Sequence, residues 1–247
     1  MNFPKQSLGT GLSGRSKEKS YPQNISKKLE IPKIGEQLKI IPTYIENAEF
    51  FFASIITPTW KQDLTKLNIK LNDLAVKLNM KTFDEENPPK DGELVFSEYI
   101  DGNFYRAKII KRYEDTNEFK VFYCDYGNFK LVNEKAVRRW DSQYDYLPFQ
   151  AVLCKLFNVK DNPYNRLEVE EYLDKQILGK DCFAEVKNND GILILDVKTE
   201  DEKSTISKEL VKKELAFPLI VEKIKDINDI NECFIKRDKF NIPDYFC

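Results

Sequence analysis

The chain has 247 residues, of which 41% are apolar, aromatic or cysteine and 32% charged, the balance of a globular fold rather than a disordered or fibrous one. No apolar run approaches the roughly 20 residues needed to span a bilayer, so no membrane partner is expected. Histidine is absent, which excludes Ser-His-Asp and Cys-His nucleophiles, H-E-x-x-H zinc sites and histidine general bases together.

Neither a G-x-x-x-x-G-K-[ST] nor a G-x-G-x-x-G loop occurs to cradle nucleotide phosphates. No cofactor, metal site or catalytic residue is expected, and a binding protein is favoured over an enzyme. The five cysteines (Cys124, Cys154, Cys182, Cys233, Cys247) form no C-x-x-C pair, and their odd number argues against a disulfide framework. A reduced, cytoplasmic setting is expected.

The net charge of −2 is unevenly spread. Residues 1–34 hold seven basic and two acidic side chains, leaving −7 for the remainder. Residues 1–35 read as a flexible basic tail loosened by Gly9, Gly11 and Gly14. An acidic body suits a cationic ligand better than nucleic acid, although −7 over 213 residues is also ordinary solubility charge.

In chain order, 38–43 and 48–55 read as two strands joined at Glu46-Asn47 and ended by Pro58. From 61 to 80 the period becomes helical, with Leu64, Leu67, Leu71, Leu74, Ala75 and Leu78 on one face, predicting a single amphipathic helix. Residues 93–157 then turn densely β. Strands are predicted at 94–96, 104–110, 119–124 and 130–132, separated by Asp101-Gly102-Asn103, Glu114–Asn117 and Gly127-Asn128. Such short strands and tight turns suggest a small, bent barrel. Further on come a strand at 151–156, a helix at 166–178 closed by Gly179, a hairpin of 183–186 with 192–197, and a helix at 204–215. Residues 216–247 carry no assignable pattern.

Two stretches concentrate the chemistry, Tyr99-Ile100-Asp101-Gly102-Asn103-Phe104-Tyr105-Arg106-Ala107 and Val121-Phe122-Tyr123-Cys124-Asp125-Tyr126-Gly127-Asn128. Strand neighbours point to opposite faces. If Phe104, Phe122 and Cys124 fill the barrel, Tyr105 and Tyr123 face outward, and Tyr99 and Tyr126 can join them from adjoining turns. Four converging tyrosines would wall a pocket for a methylated cation. The competing reading is an aromatic barrel core, which tyrosine also suits.

These motifs resemble the Tudor family, through aromatic-x-D-G-x-aromatic-Y-R-A followed by V-F-Y-x-D-Y-G-N. Leu147-Pro148-Phe149-Gln150-Ala151 resembles the L-P-x-Q-A that follows the barrel in extended Tudor domains. The resemblance covers 36–215. It implies a mixed β/α fold in which a small bent five-stranded Tudor barrel (about 91–145) is inserted in a staphylococcal-nuclease-like OB-fold. That lobe would be built from 36–60 and 146–215, with the helix at about 61–80 connecting the two, and 216–247 forming a C-terminal extension.

The resemblance also implies binding of symmetrically dimethylated arginine in Arg-Gly-rich tails of PIWI-clade Argonautes, in germline small-RNA silencing and its perinuclear granules. The implied cage is Tyr99, Tyr105, Tyr123 and Tyr126, with Asn128 bonding the methylguanidinium and Asp125 and Arg106 in support. Cys124 departs from the usual isoleucine or valine, and Tyr99 stands where phenylalanine is also common. Rivals of other classes are a metal-dependent nuclease, and an RNA-binding nuclease-like lobe or an interaction scaffold, neither of them dependent on methyl marks. The first is poorly served, because the outer segments hold few arginines, Arg166 and Arg237, and no spacing there assembles carboxylates with an arginine at a reacting phosphate.

Overall fold

The computed structural model describes residues 29–84, 86–199 and 204–219. The readings of 1–28 and 220–247, with Cys233 and Cys247, lie outside the described residues. Strands β1 (Gln37–Ile45) and β2 (Phe50–Ile55) form the first hairpin, with a register shift between Pro42 and Tyr44. Proline brings no N–H to a ladder, so a bulge is where a strand tolerates it. The carbonyl of Pro42 instead accepts from the Gly179 amide at 2.8 Å.

The single helix predicted over 61–80 is two, α1 (Trp60–Leu71) and α2 (Leu74–Asn79). The break has a local cause. The Asn72 amide pairs with the backbone of Phe104, donating to its carbonyl at 2.9 Å and accepting from its N–H at 2.7 Å. Asp73 then caps α2 by accepting from the amides of Ala75 and Val76. Leu64, Leu67 and Leu71 are buried, whereas Leu74 and Leu78 on the turned-away α2 are 71% and 77% exposed. The leucine stripe therefore does not continue as a core face.

Five strands follow: β3 (Leu94–Glu98), β4 (Phe104–Tyr113), β5 (Glu118–Tyr123), β6 (Phe129–Asn133) and β7 (Val137–Arg139). They form one antiparallel sheet in the order β6-β5-β4-β3-β7, with a register shift between Ile109 and Lys111. Its interior is Val95, Ala107, Ile109, Phe119, Val121, Tyr123, Val132 and Val137.

The inside-outside assignment suggested by the sequence is thereby reversed. Tyr123 lies on the inner face. Phe122 and Cys124 instead pack with Phe52 and Ala151 against the outer lobe, and Phe104 packs with Leu64, Leu67 and Leu71 of α1. Helix and lobe cover the outer face of the sheet, so both faces are apolar and alternation could not tell them apart.

Beyond the sheet lie β8 (Val152–Leu156), β9 (Val159–Asp161), α3 (Arg166–Gln176), β10 (Cys182–Asn188), β11 (Leu193–Thr199), α4 (Ile206–Lys212) and β12 (Ala216–Pro218). Segments from both sides of the inserted sheet close a barrel in the order β1-β10-β11-β8-β2, in which β11 and β8 run parallel. Its core includes Ile40, Phe51, Cys154, Leu156, Val186 and Leu195. Short β9 pairs with β12, so residues 216–218 belong to a strand. Cys124, Cys154 and Cys182 are buried free thiols.

Gly127 sets the contact between sheet and lobe. Its φ is +85°, and a Cβ there would lie 2.3 Å from Cβ and Cγ of Phe52. Gly127→Ala should therefore lower stability by about 1–3 kcal/mol through strain and overpacking, which a thermal melt would register.

Candidate functional site

Four aromatic rings meet where two turns of the sheet come together. Tyr99 opens the β3–β4 turn, Tyr105 lies on β4, Tyr123 ends β5 and Tyr126 sits in the β5–β6 turn. The first turn is closed by the Tyr99 amide on the Asn103 carbonyl (2.9 Å) and the Gly102 amide on the Tyr99 carbonyl (3.1 Å). The second is closed by the amides of Tyr126 and Gly127 on the Tyr123 carbonyl, at 3.1 and 2.8 Å. Both turns use a glycine at positive φ, Gly102 and Gly127.

The rings stand nearly perpendicular to their neighbours. Centroids are 5.2 Å apart for Tyr99–Tyr123, 5.3 Å for Tyr105–Tyr126, and 6.3 Å for both Tyr99–Tyr105 and Tyr105–Tyr123, at interplanar angles of 82–87°. The result is a box of walls rather than a stack. Tyr99, Tyr105 and Tyr126 are half-buried, while Tyr123 is only 1% exposed and forms the floor against the sheet core. Tyr123 is thus both part of the sheet core and in ring contact with Tyr99 and Tyr105.

Three of the hydroxyls are tethered. Tyr105 donates to Asp101 at 2.7 Å, and Tyr123 donates to the Glu98 carbonyl at 3.0 Å and lies 3.2 Å from the Ser97 hydroxyl. Asn68 of α1 donates its amide to the Tyr126 oxygen at 2.9 Å. Burial pushes the Tyr123 phenol up to about 12. It also raises that of Tyr126, and burial with the Asp101 hydrogen bond raises that of Tyr105. Asp101 lies below the usual carboxylate range, because hydrogen bonds from Tyr105 and Asn103 outweigh its partial burial. The walls are therefore neutral rings with one ionised carboxylate at the rim.

Asn128 contributes its carbonyl to the β5–β6 hairpin, accepting from the Tyr123 amide at 3.0 Å. Among the described residues its side chain has no hydrogen-bonding partner, which leaves the amide available to a ligand. Arg106 and Asp125 lie beneath the box, 1% and 2% exposed. They pair in bidentate fashion, Nε to Oδ2 at 2.9 Å and Nη2 to Oδ1 at 2.5 Å.

Arg106 also donates to the carbonyls of Tyr144, Leu147 and Pro148, and Asp125 accepts the Gln150 amide at 3.1 Å. Its guanidinium faces the Phe149 ring at 4.9 Å. The pair thereby ties β4 and the β5–β6 turn to 144–150, the stretch that leads into the outer lobe. Burial opposes the Arg106 charge, but Asp125 more than offsets it and raises the arginine's pKa. Reading the sequence alone missed Asn68, Ser97 and Asp101. Only the Asp-Gly turn at 101–102 carried a local signal.

The described residues hold no group of three or more His, Cys, Asp or Glu that could bind a metal ion. None of their helices is long and apolar enough to cross a membrane.

A two-lobed β fold with an aromatic box on the inserted sheet defines a binding module of the Tudor class. The chain belongs to the Tudor domain family, whose profile matches residues 32–158. Human Tudor domain-containing protein 6 is 32% identical over 171 residues, a match covering 67% of this chain and 8% of that protein. Ribonuclease TUDOR 2 of Arabidopsis thaliana is 28% identical over 167 residues, covering 63% of this chain and 16% of that one. The chain thus spans a small part of the length of these relatives.

The fold is shared with the third extended Tudor domain of mouse TDRD1, solved in complex with a MILI peptide containing dimethylarginine. The TM-score is 0.68 at 20% identity, over 77% of this chain and 97% of that one. The expected mixed β/α fold, with the five Tudor strands inserted between the segments of an outer OB-like lobe, is present, but the expected closed Tudor barrel is an open five-stranded sheet. The hydrogen-bonded ring closes in the outer lobe, while the Tudor strands form a bent sheet.

Proposed function

We propose that this domain reads methylated arginine, taking a symmetrically dimethylated side chain from an Arg-Gly-rich tail into the box of Tyr99, Tyr105, Tyr123 and Tyr126. The observation that carries the reading is the set of four near-perpendicular rings, three with tethered hydroxyls. Dimethylation keeps the guanidinium charge but replaces donor hydrogens with methyls. The rings then gain from their quadrupoles and from covering those methyls, at about 0.5–2 kcal/mol per cation–π contact. Asn128 supplies one hydrogen-bonding group to the guanidinium, and Arg106 with Asp125 holds the strands that carry the rings.

A single modified arginine should bind in roughly the micromolar range, so several marks or flanking contacts would raise avidity. The dimethylarginine peptide on the mouse neighbour supports this ligand class. PIWI-clade tails are the proposed partner, with RNA associated indirectly, and cytoplasmic germ granules are the proposed setting. The domain would act as an adaptor rather than an enzyme.

The test is calorimetric titration with an Arg-Gly peptide in unmodified, asymmetrically and symmetrically dimethylated forms. Preference for the symmetric form supports the reading. Equal binding of all three forms, or none, refutes it.

The same titration checks a pH prediction. The raised phenol values mean that the stability from neutral tyrosines is fully present below the ordinary value of about 10 and lost as pH rises through the folded values. The depressed Asp101 contributes above its ordinary value of about 3.9, and this is lost as pH falls through the folded value. Between pH 6 and 9 neither changes charge, and the guanidinium stays protonated. Affinity should therefore vary by less than about twofold over that range.

A further inference from the structure

The box already has a cation beside it. The Nζ of Lys130 lies 5.1 Å from the centroid of the Tyr99 ring. Its position follows from the sheet. Lys130 on β6 is paired with Val121 on β5, and paired residues share a face. Val121 and Tyr123 are two apart on one strand and both line the inner face. Lys130 therefore rises on the side of the sheet that carries the cage and reaches back over its first wall. It is half-buried.

We propose that Lys130 is a resident competitor of the cage, an internal ammonium that weakens cation binding at Tyr99 and sets the affinity threshold for a methylated arginine. This inference rests on the reader function proposed above and goes beyond it. A ring that already attracts one ammonium has less of its quadrupole to offer a second cation, and the two like charges repel. Entry of the guanidinium must either displace the lysine from Tyr99 or tolerate it. Both routes cost affinity, and the repulsive part is an electrostatic effect that salt weakens. Charge at this point is not needed for the wall itself, because Tyr99 is also held by its edge-to-face contacts with Tyr105 and Tyr123.

The experiment titrates the full chain with a symmetrically dimethylated Arg-Gly peptide, comparing the wild type with Lys130→Gln and Lys130→Met. Titrations are run at about 0.05 M salt, where the screening length is about 14 Å, and at about 0.5 M, where it falls to about 4 Å. Thermal midpoints are recorded for each variant. Both variants should bind about tenfold tighter than wild type at low salt, with the gap narrowing at high salt and the melts unchanged. Binding by the variants alone would be the same effect in stronger form.

If the wild type binds and both variants bind equally or more weakly, Lys130 is a packing residue of Tyr99. The competitor is then overturned while the reader stands. If no form of the protein binds, the reader reading fails and Lys130 loses its role with it. The salt dependence separates charge competition from packing, since a packing role would leave the gap unchanged with salt.

Discussion

Asp125→Ala is expected to lower stability by about 3–5 kcal/mol, because it leaves the Arg106 guanidinium buried without its counter-charge. Arg106 is 1% exposed and makes both arms of its bidentate pair with this one carboxylate. The carbonyls of Tyr144, Leu147 and Pro148 would still accept from it, but they carry no charge to balance it. The Gln150 amide loses its acceptor as well. For a chain of this size the loss corresponds to roughly 6–20 °C in melting temperature. Asp125→Asn, which keeps one acceptor oxygen and the shape, should fall between wild type and alanine. Thermal unfolding with limited proteolysis of the 144–150 stretch would check both. A melt unchanged in Asp125→Ala would mean that the pair does not anchor the lobe.

Cage substitutions should produce the largest change in binding, and Tyr105 gives the cleanest separation of ring from hydroxyl. Tyr105→Ala removes a half-buried wall that touches the other three rings, and affinity should fall at least about tenfold. Tyr105→Phe keeps the ring and removes only the hydrogen bond to Asp101, so a loss of about two- to tenfold is expected. Asn68→Ala, on α1 and outside the sheet, frees the Tyr126 hydroxyl and should resemble the phenylalanine variant. Calorimetry on the three would show the order. If phenylalanine and alanine at 105 cost the same, the ring is not what holds the ligand. Tyr123 is a poor choice for this test, since its ring is also sheet core and its loss would confound folding with binding.

The two sets of variants probe different levels of one arrangement. The Arg106–Asp125 pair joins β4, which carries Tyr105, and the β5–β6 turn, which carries Tyr126, to the outer lobe. Gly127 does the same by close contact, because only a residue without a side chain lets the β5–β6 turn approach Phe52. The four rings are therefore positioned by charge and packing some way from them. Asp125 and Gly127 variants should weaken binding through stability, whereas Tyr105→Phe and Asn128 variants, which keep the packed rings, should weaken it with little change in the melt.

The order of residues alone determined much of this. Period-2 and period-3.6 patterns and the Gly, Asn and Asp turns placed most strands and helices, since these signals are local. The two motif stretches placed Tyr105 and Tyr123 on neighbouring strands and Tyr99 and Tyr126 in the adjoining turns, where the side chains can come together. Interactions far apart in sequence were decided only in three dimensions. Asn72 ends α1 because of a backbone partner 32 residues away, and Asn68 meets Tyr126 across 58. The three-residue strands β7, β9 and β12 exist because a neighbour satisfies them, and three residues carry too little pattern to be read. The inward face of the Tudor sheet was reversed for the same reason. With both faces buried, alternation marks two sets of side chains but not which set meets the core, and that choice belongs to the helix and lobe packed outside.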